Sequence, residues 1–305
     1  MFNKRSIALT LVLILTVGIV FTASGQSNAW WIFGDDKKEE VKQEQTTNKD
    51  TKEEESNSKT LTIQGSSTVL PIAQKAAEAY MQKHPDVNIT VRGGGSGNGI
   101  AALVDGAVDI ADTSRFIKDK EFNKAHKNGI YPVPHRVAMD GIAVVVNPAN
   151  SIDNLTLEDL EKIYTGKVTN WKELGGADKE IVVVSRDSSS GTFEVFGEIA
   201  LDGARVTPSA LLQSSNGTVK STVAETEGGI GYIGLGYLSD EVKTIKVNGV
   251  KPTNTTVASG SFPIARPLFM FTDGWPTGLT ANFINFVLSS EGQEIAEQQG
   301  YVPLH

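Results

Sequence analysis

The chain has 305 residues, a formal net charge of -8 and no cysteine. Its length accommodates an export segment plus one two-lobed domain or two small ones, and a hydrophobic content of 39% excludes wholesale disorder. Without thiols there is no disulfide, thiolate metal site, cysteine nucleophile or lipid-modified cysteine, and the acidic balance argues against a nucleic-acid partner, which needs a basic face.

Residues 1–25 read as a leader: Lys4 and Arg5 precede an almost unbroken apolar run from Ile7 to Val20, and Ala23, Ser24 and Gly25 offer a cleavage site before Gln26. Ser27, Asn28 and Ala29 offer a second site. The alternative is an uncleaved anchor, because a run of about 17 residues sits at the lower edge of a membrane span. Either outcome places the rest of the chain outside the cytoplasm. Residues 26–59 read as a tether. Of the 25 residues from 35 to 59, 15 are charged and Val41 is the only aliphatic, so this stretch buries too little to offset its ordering entropy. Trp30, Trp31, Ile32 and Phe33, just ahead of the charged stretch, either suit a membrane interface or trail the leader.

Folding proper is expected from Thr60. A strand is predicted over 61–64, a turn over 65–68 and a helix over 71–83, where Ile72, Ala76, Ala79 and Tyr80 share one face and Pro71 suits the first turn. A strand over 88–91, a glycine-rich loop over 93–99, a helix over 100–105 and a strand over 108–110 follow. Further strands are predicted over 141–146 and 181–184. Helices are expected over 156–164, with Thr156 and Asp159 as a capping pair, and over 192–200. The strands 229–233 and 268–271 and the helices 279–288 and 291–298 complete the chain. Alternation of strands and helices predicts an α/β fold.

Three predicted strand ends run into loops of glycine and hydroxyl residues that each head a helix: residues 65–68, 93–99 and 188–192. Glycine admits close approach of a ligand to backbone, and free N–H groups at a helix start favour an anion. A fourth loop, Asp112, Thr113, Ser114 and Arg115, follows the strand ending at Ile110. Arg186 stands four residues before Ser190 and can supply one forked cation. One such loop alone reads as ordinary capping; four in one chain point to a shared anion site.

From about Leu61 onward the sequence resembles the phosphate-binding proteins of ABC phosphate importers. The resemblance rests on Gly-Ser-Ser-Thr-Val-Leu-Pro (65–71), Gly-Gly-Gly-Ser-Gly-Asn-Gly-Ile (93–100), Asp-Ile-Ala-Asp-Thr-Ser-Arg (109–115) and Asp-Gly-Ile-Ala-Val-Val-Val-Asn (140–147). It continues with Leu-Glu-Lys-Ile-Tyr-Thr-Gly-Lys-Val-Thr-Asn-Trp (160–171), Arg-Asp-Ser-Ser-Ser-Gly-Thr (186–192) and Gly-Gly-Ile-Gly-Tyr (228–232). It implies a two-lobed type II periplasmic-binding fold, each lobe a mixed sheet flanked by helices. Lobe one would span 60–141 plus 265–305 and lobe two 142–264, joined by hinge strands near Ala143 and Arg266.

The resemblance also implies a site. Ser67, Thr68 and Ser96 would donate from the first lobe, Arg186 would be the single cation, and Ser190, Gly191 and Thr192 would cradle oxygens in the second. Ser114 stands where some members carry an aspartate that accepts the proton of hydrogen phosphate. Asp140 is the first candidate to replace that acceptor and Asp112 the second, although Asp140 could instead pair with Arg115 or cap a turn.

The implied partners are inorganic phosphate and a membrane permease, with the binding protein itself a monomer and no cofactor or metal. Sulfate, molybdate or tungstate is the alternative ligand class, and a hydrolase or an adhesive or sensory protein on the same fold is the rival outside it. The histidines, His84, His126, His135 and His305, fall in no triad motif, residues 94–98 miss the G-x-S-x-G pattern at their last position, and no P-loop or H-E-x-x-H occurs. Residues 229–234 fit G-x-G-x-x-G but read as a strand, and 97–102 fit G-x-G-x-x-A without a second half for a dinucleotide.

Overall fold

The computed structural model describes residues 59–305. The leader, the tether and the Trp30 to Phe33 cluster lie outside the described residues. Among the described residues no helix is long and apolar enough to cross a membrane.

The first lobe opens with β1 (Lys59–Gly65), α1 (Leu70–Lys83) and β2 (Val87–Arg92), followed by α2 (Ser96–Val104), β3 (Ile110–Thr113) and α3 (Asp119–Lys127). β1 pairs in parallel with β2 on one side and β3 on the other. In α1 the 3.6-residue period places Ile72, Ala73, Ala76, Ala77 and Tyr80 on the buried face. They pack on Leu61, Ile63 and Ile110 of the sheet. The opposite face of the sheet is covered by α2 through Ile100, Leu103 and Val104 against Ala111. β1 alternates accordingly, with Leu61 and Ile63 buried and Thr62 and Gln64 only partly so, whereas all four residues of β3 are buried.

The long strand β4 (Pro132–Val146) then runs from one lobe into the other. The second lobe comprises β5 (Asn154–Leu155), α4 (Leu157–Tyr164), β6 (Val182–Arg186), α5 (Gly191–Ala200), β7 (Leu211–Gln213), α6 (Asn216–Glu225), β8 (Gly229–Gly234), β9 (Lys243–Thr244), β10 (Lys246–Val247) and α7 (Asn254–Ala258). The chain returns through β11 (Ala265–Asp273) to α8 (Gly278–Leu288) and α9 (Ser290–Gln298). The sheet order is β2-β1-β3-β11-β4-β8-β6-β7, with β9 on β4, and β5 and β10 form a separate pair. β4 and β11 are antiparallel, with Ala265 opposite Gly141 and Arg266 opposite Asp140. From Ile142 onward β4 pairs with β8. β4 thus exchanges β11 for β8 as its partner just past Gly141.

The second lobe has its own core, in which Trp171, Tyr164, Phe196 and Tyr232 surround the far half of β4. The Phe196 and Tyr232 rings stack at 4.0 Å. The Thr156 and Asp159 cap forms as a reciprocal box: Thr156 Oγ1 accepts from Asp159 N at 3.0 Å, and Asp159 Oδ2 accepts from Thr156 N at 2.9 Å. Several boundaries differ from the sequence reading, β3 and β11 among them, and α3, α6 and α7 lie where it offered no helix. α2 starts at Ser96, inside the predicted loop, and β4 starts at Pro132 rather than at 141.

Candidate functional site

Each strand end that the sequence marked delivers its loop to one place between the lobes. After β1, a Cβ at Gly65 would run into the Asp112 carbonyl, so only glycine fits. That carbonyl accepts from Ser66 N at 2.7 Å and fixes the loop against β3. Ser66 Oγ then closes the turn ahead of α1, accepting from Thr68 N at 3.1 Å. Ser67 and Thr68, both buried, are left with their hydroxyls facing the second lobe: Thr68 Oγ1 lies 3.1 Å from Thr192 Oγ1.

The glycine-rich loop turns through Gly95, whose φ of 98° favours glycine, into α2. Gly97 N donates to Ser189 O of the second lobe at 2.9 Å. Ser96 Oγ accepts from Ser114 N at 3.0 Å and lies 3.4 Å from Ser114 Oγ. Facing them is Gly191, the first residue of α5: a Cβ there would come within 2.5 Å of Ser96 Oγ and 2.8 Å of Ser114 Oγ. Ser190 caps α5, its Oγ accepting from Phe193 N at 3.2 Å. Thus Ser67, Thr68, Ser96 and Ser114 of the first lobe meet Ser190, Gly191 and Thr192 of the second.

Arg186, at the end of β6, is 1% exposed. Its Nε donates to Gln213 O at 3.0 Å and its Nη2 to Ser214 O at 2.9 Å, while its buried Nη1 has no partner. Tyr232 Oη holds the backbone beneath it, accepting from Arg186 N at 3.1 Å. The phenol itself is pushed up to about 12, by burial above all. Burial also pulls the guanidinium below its ordinary value, against the neighbouring Asp187 charge.

The three buried arginines differ in compensation. Arg115 meets Glu121 at 2.7 Å and Glu194 at 2.6 Å, and Arg266 meets Asp140 at 2.8 Å. Among the described residues Arg186 has no carboxylate within ion-pair distance. A buried charge without a counter-ion is costly, so this site carries an unmet demand for an anion.

Asp140 is fully buried, and both its oxygens are engaged: Oδ2 accepts from Arg266 Nε and Nη2 at 3.1 and 2.8 Å, and Oδ1 from Leu235 N at 2.9 Å. Burial pushes its carboxyl up, and the Arg266 charge and these hydrogen bonds pull it back. Its ionic partner is thus Arg266, not Arg115 as one sequence alternative had it. Asp112 contrasts with it. Its carboxyl is fully buried with neither oxygen hydrogen-bonded, and burial alone pushes it well above the usual carboxylate range.

Two residues at the site escaped sequence reasoning. Arg266 Nη2 also donates to Thr68 Oγ1 at 3.1 Å. Asn216, the buried first residue of α6, donates from Nδ2 to Ser67 Oγ at 3.1 Å and to Thr68 Oγ1 at 3.0 Å. The available signal for Asn216 was the pair Ser215 and Thr218, a capping pattern ahead of Val219 and Val223.

Comparison with known proteins agrees with this architecture. Residues 50–291 match the PBP superfamily domain. The phosphate-binding protein PstS of Bacillus subtilis is 42% identical over 255 residues, which cover 83% of each chain. The chain belongs to the PstS family of phosphate-binding proteins. Among solved structures, a phosphate ABC transporter substrate-binding protein with bound phosphate from Clostridium perfringens superposes with a TM-score of 0.75 at 36% identity, covering 81% of this chain and 100% of that one. An ABC-type phosphate transport receptor from Vibrio cholerae gives 0.66 at 35%, covering 79% and 99%. The family relationship carries the two-lobed fold that the sequence implied, with β4 and β11 as its connecting strands.

Proposed function

We propose that this chain captures inorganic phosphate between its lobes and hands it, chemically unchanged, to the membrane permease of an ABC importer outside the cytoplasm. The observation that carries this reading is Arg186 Nη1, a buried cationic donor with no hydrogen-bond partner, on a guanidinium that has no carboxylate within ion-pair distance among the described residues. In this reading the hydroxyls of Ser67, Thr68, Ser96, Ser114, Ser190 and Thr192 and the helix start at Gly191 supply neutral donors beside that cation. One cation amid many neutral dipoles suits a small tetrahedral oxyanion, and the closed cleft strengthens each contact by excluding water. The names of the relatives, all phosphate-binding proteins, support phosphate among the oxyanions.

Asp140 serves in this reading as the counter-ion of Arg266 rather than as the acceptor of a phosphate proton. The lobes are 60–141 plus 265–305 and 142–264, and they close by bending at the paired strands near Gly141 and Ala265. In this reading the protein acts as a monomer and catalyses no reaction.

Equilibrium titration with phosphate, sulfate and molybdate tests the proposal, with wild type and Arg186→Ala in parallel. The wild type should prefer phosphate. The variant should lose about 2–5 kcal/mol of affinity, the cost of removing one partner of a buried charge contact. Unchanged affinity in the variant removes Arg186 from the site, and turnover of a phosphate ester would overturn the transport reading.

A further inference from the structure

The donors that meet an anion must point their protons at it, and a serine or threonine hydroxyl rotates freely unless something fixes it. In this cleft the fixing group is identifiable. Gly234 N, an obligate donor, reaches Asn216 Oδ1 at 3.2 Å. This assigns the oxygen of the Asn216 amide and leaves Nδ2, an obligate donor, facing Ser67 Oγ and Thr68 Oγ1 at 3.1 and 3.0 Å. Thr68 Oγ1 also receives Arg266 Nη2 at 3.1 Å. Two donors occupy both lone pairs of Thr68, so its own proton must point away from them. The acceptor that remains within reach is Thr192 Oγ1, 3.1 Å off, and accepting there frees the Thr192 proton to turn outward. Ser67, accepting from the same amide, likewise keeps its proton to give.

We propose that Asn216 is a positioning residue that sets the polarity of the hydroxyls in the cleft, making Ser67 and, through Thr68, Thr192 donors toward the bound anion. Asn216 belongs to α6 of the second lobe, whereas Ser67 and Thr68 belong to the first. The polarity is therefore imposed only when the lobes meet, and closure converts freely rotating hydroxyls into aligned donors. The inference rests on the reading of these hydroxyls as anion donors.

The test replaces Asn216 by aspartate, which has the same shape and still accepts from Gly234 N, but offers the hydroxyls an acceptor and so draws their protons away from the anion. Phosphate affinity of N216D should fall about 100-fold near neutral pH, consistent with losing one or two charge-assisted hydrogen bonds. The ratio of variant to wild-type affinity, taken at each pH to cancel the titration of phosphate itself, should recover as pH falls from about 8 to about 5, because a protonated aspartate can donate again. A purely structural defect would leave this ratio flat.

A double-mutant cycle of N216A and T68V covers the case in which N216D fails to fold. If the amide acts through the Thr68 hydroxyl, the two losses in phosphate affinity must be strongly non-additive. Additive losses in that cycle, or N216D affinity within about twofold of wild type across the pH range while Arg186→Ala abolishes binding, would overturn the inference and leave the phosphate site standing. Retained affinity in Arg186→Ala would overturn both.

Discussion

Glu194, in the first turn of α5, reaches across the cleft to Arg115, with Oε2 2.6 Å from Nε. Its other oxygen meets Lys118 Nζ at 2.7 Å. Arg115 is held on its far side by Glu121 at 2.7 Å. The two lobes are thus clasped by an ion cluster whose core side chains, Arg115 and Glu194, are 5% and 11% exposed, so salt screens it weakly. Loss of one partner from a buried pair costs up to about 3–5 kcal/mol. Glu121 keeps Arg115 partly compensated, and a loss nearer 1–2 kcal/mol is expected for Glu194→Gln, about a tenfold drop in phosphate affinity. It should appear mainly as faster release, measurable by stopped-flow. Small-angle scattering of the phosphate-saturated variant should still match the closed wild type. A release rate equal to that of wild type would mean that the clasp does not hold the closed state.

Gly191 gives a prediction in which stability and binding move in opposite directions. It opens α5, where alanine is intrinsically favoured over glycine by up to about 1 kcal/mol. Yet a Cβ here meets Ser96 Oγ at 2.5 Å and Ser114 Oγ at 2.8 Å, and Ser96 Oγ is pinned by Ser114 N. Both obstacles belong to the other lobe, so they exist only when the cleft is shut. Gly191→Ala should leave the ligand-free melting temperature equal or higher while phosphate affinity falls by about tenfold or more, a strain of the size typical for overpacking. A variant that melts lower without ligand would place the steric conflict within its own lobe.

The strand-to-loop-to-helix punctuation around residues 65–68 and 188–192 was legible because glycine and hydroxyl residues interrupt otherwise clear apolar periods. The start of α2 was not, since Ser96, Gly97, Asn98 and Gly99 have the composition of a loop. Tertiary contact overrides that propensity: a Cβ at Gly99 would approach Gln64 O to 2.6 Å, so the helix needs glycine to lie against β1. The first half of β4 escaped because Pro132 and Pro134 argue against a strand. The structure accommodates both because β11 occupies only one side of β4 there, leaving an edge at which a missing N–H costs little. Arg266 and Asn216 could not be placed from sequence. Their partners, Asp140 and Ser67, lie 126 and 149 residues away, and no local pattern records a pairing at such a separation. The Asn216-Gly217 pair, moreover, reads as a turn rather than a helix start.

Asp112 makes the stability of the fold depend on pH. Its carboxyl is buried without a partner, and burial raises its folded-state value well above the ordinary carboxylate. Unfolded, the group titrates at about 3.9. Between that value and the folded one the native state binds the extra proton, so its contribution is fully present below about pH 4 and is lost as pH rises through the folded value, at up to about 1.4 kcal/mol per unit. Asp112→Asn keeps the shape and removes the titration. Its stability relative to wild type, measured by urea unfolding from about pH 4 upward, should increase steadily with pH and then level off. A gap that stayed constant over the range would mean that a counter-charge already stabilises the carboxylate. The Asp112 carbonyl, which receives Ser66 N at 2.7 Å, is unaltered by the substitution, so the loop bearing Ser67 and Thr68 should stay in place and phosphate affinity should hold. Loss of the preference for phosphate over sulfate in this variant would instead assign the carboxyl to the ligand, as the acceptor of its proton.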